Sequence, residues 1–223
     1  CRRPPLDDAN FRKALAVAID REAVCAHILR LGETPAYTFV PVPALGLMPR
    51  AAPGGETIHY VPPGGLAAGL PEEQRIALAR EYLRKSGVED AAAVRPIEIA
   101  FPSEPEQRFL AEAIQAQWET RLGIRVELRT IEGKVLSEKI RQLDYDLVRS
   151  DWFGDYLDPS TFPEMFTSTS GQNRTGWSDA EYDELIAHAA PESDESRRYA
   201  LFQAAERILT EDELPILPVF FRR

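Results

Sequence analysis

Helical and strand patterns alternate between residues 71 and 151, and this alternation limits the chain to few folds. Three apolar strand segments are separated from one another by single amphipathic helical segments; the strands are PIEIAF, IRVELRTI and YDLVRS. Strands connected in this βαβαβ order lie parallel in one sheet with right-handed crossovers, and such sheets bind ligands at the carboxyl ends of their strands. The residues that follow YDLVRS are therefore predicted to lie at a ligand-binding edge.

Further helices are predicted before and after this core. Asp7 or Asp8 can cap a first helix, and Asp20 can cap a second. The first helix has an apolar stripe predicted to be buried: Phe11, Leu15, Val17, Ala18 and Ile19. The second has another such set before Gly32: Val24, Ile28, Leu29 and Leu31. Ser178 with Glu181 predicts a capping box that begins a later helix.

Prolines and glycines crowd residues 33–70, which predicts extended or turning backbone and no long helix. A segment of this length either carries function or is a packed connector held by Tyr37, Phe39 and Tyr60. At the other end of the chain, Pro215 and Pro218 in LPILPVFF favour an edge strand or an irregular crossing.

The composition excludes several classes of function. The 223 residues carry 36 acidic and 26 basic side chains, a net charge of −10, which disfavours binding to nucleic acid. No apolar run approaches the roughly 20 residues that span a bilayer. The two cysteines and three histidines form no metal-binding or hydrolase motif, so no cofactor or metal is predicted. We expect Cys1 to be an ordinary residue at a boundary rather than a lipidated terminus.

The stretch DYDLVRSDWFGDYLDP places charged and aromatic residues after the last strand of the core. One cation, several carboxylates and aromatic walls at a strand's carboxyl end can fix a small zwitterionic ligand. In the structural alternative, Trp152 and Phe153 plug the end of the sheet, Asp155 caps a turn and Gly154 provides a bend. The remaining alternatives are a calcium site and a carboxylate-based hydrolase that uses Asp151, Asp155 or Asp158.

Six segments of the chain, in order, resemble the second lobe of extracellular solute-binding proteins of family 5, the oligopeptide and dipeptide receptors of ABC importers. The segments are PLDDANFRKALAVAIDRE, GETPAYTFVP, LGIRVELRTIE, YDLVRSDWFGDYLDPSTF, NRTGWSDAEYDELIAHA and ERILTEDELPILPVFF. The resemblance implies an α/β fold of the type II periplasmic binding protein kind, with a βαβαβ mixed sheet flanked by helices. It also implies capture of a ligand without catalysis, so the protein is not expected to be an enzyme.

The resemblance implies a role for each residue of the candidate site. In peptide-binding members, the aspartate at the position of Asp155 pairs with the ligand's α-amino group. The arginine at the position of Arg149 helps to receive carboxylate charge. The cavity wall is formed by the positions of Trp152, Phe153, Gly154 and Tyr156. The chain departs from some oligopeptide receptors at Gln107 and Ile140, where basic or histidine residues receive the peptide C-terminus, and Arg141 lies beside the second position.

A single domain over residues 1–223 is expected, which forms one lobe of a two-lobed protein. Its predicted segments are 1–32, the opening helices; 33–70, the loop; 71–151, the βα core; 152–177, the ligand-cavity loop; and 178–223, the last helices and the strand returning to the hinge. The expected partners are a peptide, the missing first lobe and the importer's membrane subunits, in a periplasmic or membrane-anchored location. Related members bind nickel complexes, opines or sugars, which stay alternative ligands.

Overall fold

The computed structural model describes residues 1–42, 50–51 and 57–222. The helices are α1 (Ala9–Ala18), α2 (Arg21–Ala23), α3 (Glu72–Lys85), α4 (Pro105–Leu122), α5 (Gly133–Arg141), α6 (Ala180–Ala189) and α7 (Glu195–Arg207). The strands are β1 (Thr34–Pro35), β2 (Arg50–Ala51), β3 (Thr57–Ile58), β4 (Ile97–Phe101), β5 (Val126–Thr130), β6 (Leu147–Val148) and β7 (Phe220–Phe221). Turns of 3₁₀ helix lie at Ala91–Ala93, Pro159–Thr161 and Pro163–Phe166, and π-helical turns lie at Val24–Leu29 and Ile208–Asp212.

The chain divides into two compact units. Unit 1 consists of Cys1–Ala36, Leu66–Asp151 and Val219–Arg223, and unit 2 of Tyr37–Gly65 and Trp152–Pro218. The polypeptide therefore leaves unit 1 between Asp151 and Trp152, within the stretch that the sequence singles out. The single domain over residues 1–223 stays a prediction.

The core of unit 1 is a three-stranded parallel sheet in the order β5-β4-β6, which confirms the βαβαβ prediction. β4 pairs along its whole length with β5, from Ile97 opposite Val126 to Phe101 opposite Thr130. β6 is only two residues long, shorter than YDLVRS predicts. The Asp146 carboxylate accepts a hydrogen bond from the Glu98 amide at 3.1 Å, so a side chain replaces the ladder where the strand was expected to begin.

The predicted caps of the first two helices and the predicted apolar stripe of the first helix are confirmed. Asp8 accepts a hydrogen bond from the Phe11 amide at 3.0 Å, and Asp20 accepts one from the Ala23 amide at 2.9 Å. The stripe residues of α1 and Ile19 are all buried. At the other end of unit 1, β7 pairs antiparallel with β1 in a separate two-stranded sheet, which confirms an edge position for the last strand.

The prediction for the second helix is wrong in part. Val24 is buried, but Leu29 is half-buried and Ile28 and Leu31 are exposed. The helix changes to a π-helical turn at Val24–Leu29, so side chains are no longer spaced as an α-helical stripe predicts. Arg30 then adopts a left-handed conformation with φ of 62°, which ends the helix before Leu31.

Helices α6 and α7 form the main body of unit 2. The cap of α6 is Asp179 and not Ser178, because the Asp179 carboxylate accepts the hydrogen bond from the Tyr182 amide at 2.7 Å. The buried Tyr182 hydroxyl donates to the Pro163 carbonyl at 2.7 Å, and the Tyr182 ring packs edge-on against Trp177. The helix is thus fixed to the loop that precedes it.

The Pro/Gly-rich segment 33–70 contains no long helix within its described residues, as predicted, and residues 43–49 and 52–56 lie outside them. In unit 2 the Phe39 ring packs edge-on against Phe162 at 5.4 Å. The buried Glu206 of α7 accepts hydrogen bonds from the Phe39 and Val40 amides, both at 2.6 Å, and from the Tyr60 hydroxyl. These contacts support the interpretation of this segment as a packed connector.

Candidate functional site

The loop that follows β6 is organised around Thr161, a buried residue of unit 2. The Thr161 carbonyl accepts a hydrogen bond from Trp152 Nε1 at 3.0 Å, and its Oγ1 accepts one from the Asp155 amide at 3.0 Å. A Cβ atom at Gly154 would lie 3.1 Å from Thr161 Cγ2 and 3.2 Å from Phe162 Cε2. The absent side chain of Gly154 therefore lets this loop pack against its own following turn.

An ion pair fixes the far end of the same loop. Asp158 begins the 3₁₀ turn Pro159–Thr161 and accepts a hydrogen bond from the Ser160 amide at 2.9 Å. Arg198 of α7 donates one hydrogen bond to each of the two carboxylate oxygens of Asp158, both at 2.7 Å. Partial burial acts to raise the Asp158 pKa, but the hydrogen bonds from Arg198 and Ser160 outweigh it and hold that pKa below its ordinary value.

Asp155 differs from Asp158 in the environment of its carboxylate. Its amide is bound by Thr161, but its carboxylate is exposed and has no ion-pair partner among the described residues of unit 2. The neighbouring rings are exposed as well: Phe153 keeps 65% of its surface accessible and Tyr156 keeps 48%. The Tyr156 hydroxyl lies 3.0 Å from Ser160 Oγ and 3.3 Å from Glu164 Oε2. The loop therefore presents one unmatched carboxylate beside two aromatic surfaces.

Arg149 and Asp151 belong to unit 1 and are already paired there. Arg149 continues β6, with its amide donating to the Ala100 carbonyl at 2.9 Å. Its guanidinium forms an ion pair with Asp151 at 2.9 Å, and Arg222 reaches the same carboxylate oxygen at 3.1 Å. Asp151 thus balances two cations and is not an isolated anion.

The structure places the six predicted site residues on two units. Trp152, Phe153, Gly154, Asp155 and Tyr156 share one loop of unit 2, and Arg149 lies in unit 1. Phe153 is exposed, and the residue that caps a turn is Asp158 and not Asp155. Neither Thr161 nor Arg198 was predicted to belong to the site. A signal existed for Asp158, since Asp followed by Pro is typical of the start of a helical turn.

Of the two positions expected to depart from some oligopeptide receptors, Ile140 has a local explanation in unit 1. Ile140 packs against the buried cluster of Ala100, Ile131 and Leu136. Arg141, beside it, forms an ion pair with Glu138. The Ile140 side chain is therefore part of the packing between α5 and the sheet.

Within the described residues, no group of three or more His, Cys, Asp and Glu side chains could hold a metal ion. No helix in that part of the chain is both long and apolar enough to cross a membrane.

Comparison with known families identifies the chain. The family described as bacterial extracellular solute-binding proteins, family 5 (middle segment), matches residues 1–174. The chain belongs to this family, and its fold is that of type II periplasmic binding proteins.

Individual relatives agree with the family. The chain is 33% identical over 222 residues to the dipeptide-binding protein DppE of Bacillus subtilis, covering 97% of this chain and 38% of that protein. Its structure is similar to the murein tripeptide binding protein MppA of Escherichia coli, with a TM-score of 0.84, 27% identity, and coverage of 98% and 40%. It is also similar to OppA of Haemophilus influenzae in complex with RPPGFSPFR, with a TM-score of 0.83, 27% identity and the same coverage. The chain thus spans about two fifths of these relatives' length.

Proposed function

We propose that this chain is the ligand-capturing lobe of an extracytoplasmic peptide-binding protein that delivers its ligand to an ABC importer. The observation that carries the proposal is the Asp155 carboxylate, which is exposed and has no ion-pair partner among the described residues of unit 2, on a loop where Asp158 is held by Arg198. A carboxylate left without a cation can serve as the fixed counter-ion of a ligand amine.

The chemistry of a peptide N-terminus suits this loop. An α-ammonium group that is enclosed away from water needs a fixed anion, since an unpaired buried charge costs several kcal/mol. The exposed rings of Phe153 and Tyr156 lie in the same loop and offer apolar surface to a ligand. Arg149, through its planar donor fork, is proposed to receive carboxylate charge in exchange for part of its pairing with Asp151.

Capture without catalysis is part of the proposal. Of the other carboxylates that a hydrolase could use, Asp158 is bound by Arg198, and Asp151 is bound by Arg149 and Arg222. Because each of these two carboxylates is paired with arginine, neither Asp151 nor Asp158 is left unpaired to act with Asp155 as acid and base. The proposed partners are a peptide, a first lobe in the same protein and the importer's membrane subunits.

The test is retention of peptides by the full-length gene product, purified from its native host. The protein is incubated with a synthetic set of di-, tri- and oligopeptides, once with free amines and once N-acetylated. Bound peptides are then released and identified by their masses in mass spectrometry. The proposal predicts retention of free-amine peptides, each recovered intact. Retention of neither form, or recovery of cleaved peptides, would overturn it.

The same preparation tests the location and the length of the protein. An antibody raised against this chain should detect a product well above 25.0 kDa outside the cytoplasmic membrane. A cytoplasmic product of 25.0 kDa would contradict two-lobed capture.

A further inference from the structure

We propose that Thr161 is a positioning residue for ligand-amine recognition, which it controls by fixing the backbone of Asp155 and the ring of Trp152. The inference rests on the proposed function, because it concerns the same carboxylate. Nothing in the geometry requires Thr161 to touch the ligand, since its side chain is buried.

Thr161 makes three contacts to one short loop through three different groups. Its Oγ1 binds the Asp155 amide at 3.0 Å, and its carbonyl oxygen binds Trp152 Nε1 at 3.0 Å. Its Cγ2 lies close to Gly154, 3.1 Å from the position that a Cβ atom at Gly154 would take. The two residues on either side of Phe153 and Gly154 are thereby tied to one buried residue.

The hydrogen bond to the Asp155 amide matters because the Asp155 side chain has no anchor of its own in unit 2 among the described residues. The direction of the Asp155 Cα–Cβ bond then depends on its backbone, which the Thr161 hydroxyl fixes. A recognition group held in place before binding avoids the entropic cost of ordering it when the ligand arrives.

Thr161 is in turn held by a second anchor. It is the last residue of the 3₁₀ turn that Asp158 begins, and its amide donates to the Asp158 carbonyl at 3.4 Å. The Asp158 carboxylate is bound at two points by Arg198. Arg198 of α7 thus holds Asp158, which begins the turn that ends at Thr161. Thr161 in turn fixes the backbone of Asp155.

The test compares Thr161→Val with Thr161→Ser in the full-length gene product. Valine keeps the methyl group against Gly154 but removes the hydroxyl acceptor, and serine keeps the acceptor but removes the methyl group. The readout is the Kd of one free-amine tripeptide and of its N-acetylated counterpart, both taken from the peptide set above. We expect Thr161→Val to weaken free-amine binding by about tenfold and acetylated binding little, since one hydrogen bond is lost. Thr161→Ser should restore the free-amine affinity.

A double-mutant cycle with Asp155→Asn separates positioning from general stability. With Asp155→Asn already present, Thr161→Val should not weaken free-amine binding further, because the charge it positions is absent. Equal weakening of both peptides by Thr161→Val, or no weakening of either, overturns the inference. If Asp155→Asn alone leaves free-amine binding unchanged, the proposed function fails as well, so the two failures are distinguishable.

A second variant keeps the inference testable if Thr161→Val does not fold. Arg198→Lys retains the charge opposite Asp158 but cannot match its two oxygens with a planar fork. We expect a smaller loss of the same kind, confined to the free-amine peptide. A loss of equal size for the acetylated peptide would overturn the claim that Arg198 helps to position Asp155 through Asp158 and Thr161.

Discussion

Arg198 and Asp158 lie 40 residues apart in the sequence, and their side chains are joined by two hydrogen bonds of 2.7 Å. The Arg198 guanidinium also stacks over the Phe202 ring at 4.8 Å from its centroid, so it is held on both sides. This pair fixes the start of the turn that carries Thr161 to a helix of the same unit. The loop that bears Asp155 therefore has a rigid support rather than a free end.

Replacement of Arg198 by methionine should destabilise unit 2. The change leaves the half-buried Asp158 carboxylate without its two charge-assisted hydrogen bonds, which predicts a loss of about 1.5–3 kcal/mol. Urea unfolding of the protein measures this loss. Arg197→Met is the matched control, since Arg197 is the adjacent residue of α7 and is exposed. A loss of the same size in both variants would contradict the role of the pair.

Gly154→Ala should destabilise the site loop. The new methyl group would lie 3.1 Å from Thr161 Cγ2 and 3.2 Å from Phe162 Cε2. Neither neighbour can easily move, because Thr161 is hydrogen-bonded to Asp155 and the Phe162 ring is buried against Phe39. Overpacking of this kind costs about 1–3 kcal/mol.

The control for Gly154→Ala is Gly171→Ala. A Cβ at Gly171 meets nothing within 4 Å, so the change should be neutral or slightly stabilising. Urea midpoints of the two variants give the comparison. If Gly154→Ala is as stable as Gly171→Ala, the close approach at Thr161 is not a constraint on this loop.

Asp20→Ala should cost more than Asp8→Ala, although both aspartates cap helices of unit 1. Each change removes one N-cap hydrogen bond, worth about 1 kcal/mol. Asp20 also forms an ion pair at 2.7 Å with Arg75, whose side chain is 5% exposed. Removing the partner of a buried charge costs about 3–5 kcal/mol. Equal unfolding free energies for the two variants, measured in urea, would show that the Arg75 pair contributes little.

The sequence predicts most of unit 1 because its elements are set by local patterns. α4 ends at Leu122 and is capped by Gly123, whose φ of 75° few other residues adopt, and the two strands on either side of α4 pair in parallel as expected. The errors at Ile28 and Leu31 arise where a π-helical turn changes the spacing of side chains. The side-chain spacing of this segment fits an ordinary α-helix, so it does not predict the rarer π-helical turn.

The location of the candidate site could be predicted from the sequence, but the ion pairs that hold its residues in place could not. The aromatic and acidic residues after β6 mark the loop, and Asp158 before Pro159 marks the start of a turn. The pairing of Asp158 with Arg198 has no sequence signal, because the two residues are brought together only when α7 packs in unit 2. The same is true of Asp151, which Arg222 reaches from the far end of the chain.

Glu206→Gln should change how stability depends on pH. Burial raises the pKa of the Glu206 carboxyl, although hydrogen bonds from Tyr60, Val40 and Phe39 oppose the shift, and the nearby Glu211 charge adds to it. The raised pKa means that its contribution to stability is full below the ordinary value of 4.5 and is lost as the pH rises through the folded pKa. The wild type should therefore lose stability relative to Glu206→Gln as the pH rises.

Urea unfolding across the mildly acidic to neutral range measures this difference. Besides Glu211, the ionisable groups that act on Glu206 among the described residues include the hydroxyls of Tyr60 and Tyr182, which burial keeps neutral in this range by raising their pKa. Glu184→Gln, a change at an exposed carboxyl of α6, should leave the slope unchanged. Parallel pH profiles for the wild type and Glu206→Gln would contradict a buried carboxyl with a raised pKa.

The most direct test of the proposed role of Asp155 is the affinity of the Asp155→Asn variant of the full-length protein for a free-amine peptide and its N-acetylated counterpart. Asparagine keeps the shape of the side chain and removes its charge, and Glu184→Gln makes the same charge change elsewhere in unit 2. Titration calorimetry should show that Asp155→Asn weakens free-amine binding on the order of a hundredfold or more and acetylated binding little. Equal affinities of wild type and Asp155→Asn for the free-amine peptide would contradict the central claim that Asp155 holds the ligand's amine.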